Sequence, residues 1–345
     1  MPAALLERVQ PAWQLVKRLA APRPPQPKMT VGVDLGTSSL KLVVLGPRKA
    51  SGSRPLLGQR LLDIPEGAEA ETSTLLKQAT TAMSLSVNQV NLSVSGQWVI
   101  IRVVEMPKLA PHELAQALPF EAQRSLPFNV QEVVLDGVIL GPAEGNKMWV
   151  LVVACKRDLL ERRMDWLKQA ELEPGVIDVD ALAVTNAFLE QQGNSRKSIG
   201  THALINVGAQ WTNLVVLKEH VPYLIRDIPW GAGKLIRHVA EQLKSDEATV
   251  TPTLLQPSAV PPEWIAAMKT GCESLVADLQ LSFDFFENRF GTPPERVMVS
   301  GGLGQCAGFV EALKQSVAQP CAAWEPRPGL GGRFTVAYGL ALRHA

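Results

Sequence analysis

The feature that most constrains this chain is a repetition. The stretch DLGTSSLKLVVL at Asp34–Leu45 returns 172 residues later as NVGAQWTNLVVL at Asn206–Leu217, with five of the twelve aligned positions identical. Each copy follows an apolar run, Val31-Gly32-Val33 in the first and Ala203-Leu204-Ile205 in the second. Self-similarity over so long an offset marks duplicated supersecondary units. Each unit reads as a β-hairpin: an apolar strand, a tight turn at a glycine among small polar residues, and a second apolar strand. Such a turn presents backbone N–H groups and hydroxyls, the donors that cradle a phosphate. Taken singly, Gly-Thr-Ser and Gly-Ala-Gln are ordinary turn vocabulary. Taken together, one in each half of the chain, they read as a clamp on a phosphate tail.

Composition bounds what such a clamp can serve. A chain of 345 residues with 46% hydrophobic content is long enough for two core-bearing domains. Thirty-four basic and thirty-three acidic residues leave a net charge of +1, so no global field recruits nucleic acid or an anionic membrane. Specific binding has to come from a local site. Cys155, Cys272, Cys306 and Cys321 are scattered without a Cys-x-x-Cys pair, and no histidine stands at ligand spacing from them. They read as reduced core residues of a cytosolic protein. No stretch approaches the roughly 18 consecutive apolar residues of a membrane span, so a membrane connection would run through a partner or the N-terminal tail.

That tail, residues 1–28, places Leu5, Leu6, Val9, Trp13, Val16 and Ala20 at helical spacing ahead of the spacer APRPPQP, but Pro11 interrupts the face after two turns. It reads as a disordered N-terminal extension, with an amphipathic anchor as the alternative, and Met29 as a possible start. Residues 29–86, 174–198 and 327–345 read as a first domain. It opens with the hairpin, a strand around GQRLLDIPEG and the helix TSTLLKQATTAMSL, capped by Thr72 or Ser73. Residues 87–173 follow the order ββαββα and read as an inserted subdomain, and 199–326 as the second domain. The C-terminal segment RFTVAYGLALRHA reads as a helix closing back on the first domain.

Three features in this order resemble the actin-like ATPase superfamily: DLGTSSLK, NVGAQWT, and the strand and glycine cluster VMVSGGLGQCAGF at Val297–Phe309. Within it, VEMPKLAPHELAQALPFEAQRSLPFNVQEVVLDGVIL is similar to the inserted subdomain of the PilM family of type IV pilus assembly proteins, and IRDIPWGAGKL to that family's entry into the second domain's nucleotide-side helix. The insertion distinguishes PilM and its cell-division relative FtsA from sugar kinases and chaperones. The implied fold class is α/β, an actin-like (ribonuclease H-like) two-domain fold with the ββαββα insert. The implied cofactors are ATP and Mg²⁺. Asp34 would hold the metal through its water shell, since a hard oxygen anion suits that cation. Gly36, Thr37, Ser38 and Ser39 would donate to the β-phosphate, and Lys41 stands where actin-like proteins carry a phosphate-contacting lysine. From the second half, Asn206, Gly208, Ala209 and Thr212 would complete the phosphate site, and Gly301, Gly302 and Gly304 would let backbone approach the adenosine.

The second turn departs from the superfamily's Asp-x-Gly. Asn206 supplies no negative charge to hold metal or orient attacking water, and Trp211 adds bulk. Loss of a group that acts mainly in the transition state costs hydrolysis more than binding, so the expected activity is at most a very slow ATPase. The resemblance also implies a partner, the N-terminal peptide of a PilN-like inner-membrane protein, with further platform or motor proteins possible. Leu114, Leu118, Phe120 and Phe128 are the candidate partner-binding residues, because one small ββαββα unit has more apolar surface than it can bury. The implied place is the cytoplasm, peripheral to the inner membrane through partners. Two alternatives stay open here: a small-molecule kinase, with Asp178 or Asp180 as base, and the homologous component of a type II secretion system. An FtsA-like polymer former would carry a C-terminal amphipathic membrane helix, whereas this chain ends at ALRHA.

Overall fold

The computed structural model describes residues 29–49, 52–65, 67, 71–83, 85–125, 129–193, 199–255 and 260–344; the tail 1–28 and Phe128 lie outside the described residues. The chain divides into two compact units, one ending at Ala183 and regained from Ala337, the other spanning Val184–Val336.

In the first unit, β1 (Thr30–Leu35), β2 (Ser39–Leu45) and β3 (Leu56–Asp63) form an antiparallel run. Helix α1 (Thr72–Thr81) leads to β4 (Gln89–Val94), parallel to β1. Next come β5 (Val99–Pro107), α2 (Pro111–Ser125), β6 (Val133–Pro142), β7 (Lys147–Lys156), α3 (Arg157–Gln169) and β8 (Glu173–Val179), followed by α4 (Asp180–Gln192), within which the chain passes to the second unit. One sheet runs β3-β2-β1-β4-β8 and a second runs β5-β7-β6. The second unit holds β9 (Thr201–Val207), β10 (Thr212–Lys218), β11 (Val221–Ile228), α5 (Ala232–Leu243), α6 (Glu247–Leu254), α7 (Pro262–Gly271), α8 (Glu273–Phe290), β12 (Arg296–Gly301), α9 (Ala307–Lys314) and β13 (Cys321–Ala323), and the chain returns to the first unit within α10 (Thr335–Ala341).

Its sheet runs β11-β10-β9-β12-β13, the order and senses of the first sheet with β9, β10, β11, β12 and β13 in place of β1, β2, β3, β4 and β8. The repeated twelve residues therefore occupy equivalent hairpins of two equivalent sheets. Continuous apolar runs suit strands covered on both faces, and β1 and most of β9 are buried at every position. Val31, Val33, Leu40, Leu42 and Val44 pack under Leu76 and Ala79 of α1 and Leu167 of α3.

The C-terminal segment is bound into the first unit. The Thr30 hydroxyl donates to the Ala341 carbonyl, Asn91 Nδ2 to the carbonyls of Leu340 (2.9 Å) and Arg343 (3.0 Å), and buried Arg54 to Ala341 O at 3.0 Å. Gly32 permits this approach, since a Cβ there would stand 2.1 Å from the Ala337 carbonyl oxygen.

Residues 87–173 have the element order ββαββα, but not all six elements form the insert. Strand β4 lies between β1 and β8 in the first sheet, and Leu167 and Ala170 at the end of α3 join the core beneath it. Only β5, α2, β6 and β7 build the separate three-stranded layer. The assignment of β4 depends on partners distant in sequence, which local periodicity does not encode. The predicted cap also differs: α1 starts after Glu71 without a side-chain cap bond, while Thr72 and Ser73 lie buried within it. All four cysteines are buried thiols, and burial pushes Cys155 and Cys272 up to about 12 and Cys321 to about 11.

Candidate functional site

The first turn occupies the carboxyl end of β1. Gly36 N–H donates to Ser39 O at 3.1 Å, closing the turn, and Thr37 and Ser38 stand exposed at its tip. Hairpin register sets Asp34 opposite Lys41, and their side chains form an ion pair at 3.1 Å, 13% and 15% exposed. Lys41 Nζ also donates to Ser39 O at 3.4 Å. A Cβ on Gly36 would stand 3.1 Å from that ammonium, so glycine leaves the space in front of Lys41 open. Six predicted residues, Asp34, Gly36, Thr37, Ser38, Ser39 and Lys41, are thus gathered in one turn with one ammonium, one carboxylate and two accessible hydroxyls.

The second turn is more occupied with its own fold. Gly208 N–H donates to Trp211 O at 2.9 Å, and the first amides of α5, Ala232 and Gly233, donate to the carbonyls of Gly208 and Ala209, each at 2.9 Å. The Thr212 hydroxyl, fully buried, donates to Trp230 O at 2.8 Å and is not presented to a ligand. Asn206 lies inside a buried polar chain. Ser300 Oγ donates to Asn206 Oδ1 (3.3 Å), Asn206 Nδ2 to Asn213 Oδ1 (3.0 Å), and Asn213 Nδ2 to Asp227 Oδ1 (2.8 Å). Asn206 thus tethers neighbouring strands through both ends of its amide. Sequence reasoning missed Asn213 and Asp227; their only signal was a polar residue within an otherwise apolar strand.

The glycine cluster meets this turn because β12 runs parallel to β9, setting Ser300 beside Asn206 and Gly301 beside Val207. Ligands of open α/β sheets gather at such carboxyl ends of parallel strands. The three glycines differ in role. Gly301 has φ +86° and its Cβ would lie 2.3 Å from Val207 O, while a Cβ on Gly304 would lie 2.9 Å from Val299 O. Both are demanded by the fold. Gly302, with its N–H on Val207 O at 3.0 Å and a nearest Cβ contact of 3.5 Å, is the one whose surface stays open. Gly301→Ala is therefore expected to cost about 3 kcal/mol or more, and Gly302→Ala less than about 1 kcal/mol, read from urea unfolding midpoints.

Asp178, a candidate kinase base, is committed elsewhere. Its carboxylate meets Arg343 Nε at 3.1 Å, with the aspartate side chain 1% exposed, and accepts from Val179 N–H at 2.8 Å. A carboxylate so held is not placed to deprotonate a substrate hydroxyl. Asp180 is the first residue of α4.

A family model for the type IV pilus assembly protein PilM matches residues 32–344. The chain belongs to the PilM family. Among solved structures, a chain of the PilM–PilN type IV pilus biogenesis complex is similar at 23% identity and TM-score 0.80, over 92% of this chain and 98% of that one. The ethanolamine utilization protein EutJ from Carboxydothermus hydrogenoformans follows at 14% identity and TM-score 0.54, covering 98% and 95%. A nucleotide-free diol dehydratase-reactivating factor has 10% identity and TM-score 0.55, covering 92% and 99%. The fold is thus the actin-like α/β fold of PilM, and the pilus reading stands over the secretion and kinase alternatives.

In this PilM-family chain the candidate partner residues separate. Leu114 and Leu118 are 4% and 6% exposed and form the core of the three-stranded layer with Met106, Met148, Val150 and Val152. They hold the subdomain together rather than offering surface, and Gly137 of β6 leaves the room into which Leu118 sinks. Phe120, on the same helix, is 74% exposed. Among the described residues no helix is long and apolar enough to cross a membrane.

Proposed function

We propose that this PilM-family chain is a cytoplasmic scaffold of the type IV pilus inner-membrane platform. It binds ATP with Mg²⁺, turns it over very slowly or not at all, and captures the N-terminal peptide of a PilN-like membrane protein. The observation that carries this reading is the family match over residues 32–344. The similar chain in the PilM–PilN complex supports the choice of partner.

The residues of the first turn fit the nucleotide. Lys41 and the amides and hydroxyls of Thr37–Ser39, with Gly36 leaving them room, would hold phosphate oxygens, and Asp34 would hold Mg²⁺ through water, as suits a cation that dehydrates reluctantly. Bound Mg²⁺ would neutralise phosphate charge. Gly208 and Ala209 would add to the phosphate site, and Gly302 leaves backbone open to the nucleoside. Asn206 brings no charge to metal or water, which favours binding over hydrolysis.

For the peptide, Phe120, exposed on a helix whose Leu114 and Leu118 lie in the core, is one proposed anchor, and Phe128 is the other. An extended segment that pays its ordering entropy on binding gives modest affinity. The test is a fluorescence titration with the first ~15 residues of the PilN-like protein, which reach at most about 50 Å. Binding is expected, with Phe120→Ala and Phe128→Ala each weakening it about tenfold and leaving folding intact. Leu114→Ala instead costs about 2–5 kcal/mol of stability. Unchanged affinity in both phenylalanine variants would move the peptide site elsewhere, and no binding by wild type would remove the scaffold.

A further inference from the structure

Arg163 of α3 is the one arginine of the described residues whose buried Nε is unpartnered and whose guanidinium also reaches the first phosphate turn. Its Nη2 lies 3.4 Å from the carbonyl oxygen of Leu35, the residue between Asp34 and Gly36, and its guanidinium carbon stacks over the Trp166 ring at 4.9 Å from the centroid. Its Nε is buried with no hydrogen-bond partner. A buried donor without an acceptor costs free energy that a native structure normally avoids. The contact with Trp166 and the bond to Leu35 O tie the guanidinium to its own element and to the turn. Burial lowers its pKa, and the nearby charges of Asp180 and Asp34 oppose that shift.

These features complement the state of Asp34. In the structure Asp34 is held by Lys41 at 3.1 Å. If Lys41 turns to a phosphate, as the proposed function requires, Asp34 would lose its direct 3.1 Å ion pair and keep only Mg²⁺ held through water, so its nearly buried carboxylate would lack a contacting cation. We propose that Arg163 is the positioning residue that takes over the Asp34 charge when Lys41 engages a phosphate, its open N–H gaining an acceptor in that state. The residue acts through Asp34 and Leu35 rather than by touching the reacting phosphate. It lies in α3, 129 positions from Asp34, and so ties the helix that follows the three-stranded layer to the nucleotide turn.

This inference rests on ATP binding, and its test separates the two. Mg·ATP is titrated calorimetrically into wild type, Arg163→Met, which keeps an apolar stem against Trp166, and Arg163→Lys, which keeps the charge, with nucleotide-free melting measured for each. The expected result is a loss of affinity of about tenfold to a hundredfold in Arg163→Met, partly restored in Arg163→Lys. If the folded methionine variant binds Mg·ATP as wild type does, Arg163 has only a structural role and the inference is overturned. If Arg163→Met fails to fold, wild-type affinity in folded Arg163→Lys accompanied by full loss in Arg163→Gln supports charge takeover, and equal affinity in both overturns it. Failure of wild type to bind any adenine nucleotide overturns this inference together with the ATP reading.

Discussion

Lys41→Met is expected to lower Mg·ATP affinity about a hundredfold while costing the nucleotide-free protein only about 2 kcal/mol. The affinity loss follows from deleting a charge-assisted contact, worth about 1.5–3 kcal/mol when the acceptor is charged. The stability cost follows from Asp34, which loses its 3.1 Å ion pair at a site neither exposed nor sealed. Exposed pairs are worth about 0–1 kcal/mol, whereas breaking a buried one costs about 3–5 kcal/mol; an intermediate site with Arg163 nearby falls between. Asp34→Asn added to Lys41→Met removes the stranded carboxylate, so stability recovers while affinity stays low. Calorimetry and urea unfolding measure both quantities. A Lys41→Met variant that binds Mg·ATP like wild type would show that the first turn is only a hairpin.

The second large effect concerns Asn206. On the sequence alone, Asn206→Asp would simply restore the superfamily's carboxylate and raise hydrolysis. The structure changes the expectation, because Asn206 donates to Asn213 Oδ1 and Asn213 donates to Asp227. A carboxylate at 206 would face an acceptor at 3.0 Å. If Asn213 reversed its amide, its oxygen would then face Asp227. Either way two acceptors meet, both buried in the first case and one part-buried in the second, and the variant is expected to lose about 2–4 kcal/mol. Adding Asp227→Asn lets the whole chain of amides reverse, since position 227 becomes the donor and Asn213 donates toward 206. The double variant should regain most of the lost stability, and it is the form in which hydrolysis should rise, by about tenfold or more. A single Asn206→Asp variant as stable as wild type would contradict the buried amide chain.

Much of the fold could be read from the chain, and its limits are instructive. Both hairpins were legible because runs such as LVVL and a glycine turn are local signals, and the repeat implied the equivalent sheets later seen. The strand Gln89–Val94 was legible as a strand but not as a member of the first sheet, since its pairing with β1 and β8 is nonlocal. Leu114 and Leu118 were legible as an apolar helix face; what decided core against surface was packing on Met106, Met148, Val150 and Val152 of other elements, with Gly137 making room for Leu118. The Asp34–Lys41 pair follows from hairpin register once the turn is placed, whereas Arg163 had no sequence signal beyond Trp166 three residues on. Asn206 was visible as a departure, but its engagement with Asn213 and Ser300 depends on strands that meet only in the folded sheet.

The most direct measurement mixes purified wild-type protein with Mg·ATP at stoichiometric concentration and follows the bound nucleotide by chromatography over hours. A nucleotide-binding scaffold retains ATP that is recovered largely intact; absence of bound nucleotide, or turnover at the ~1–100 s⁻¹ usual for kinases, would contradict it.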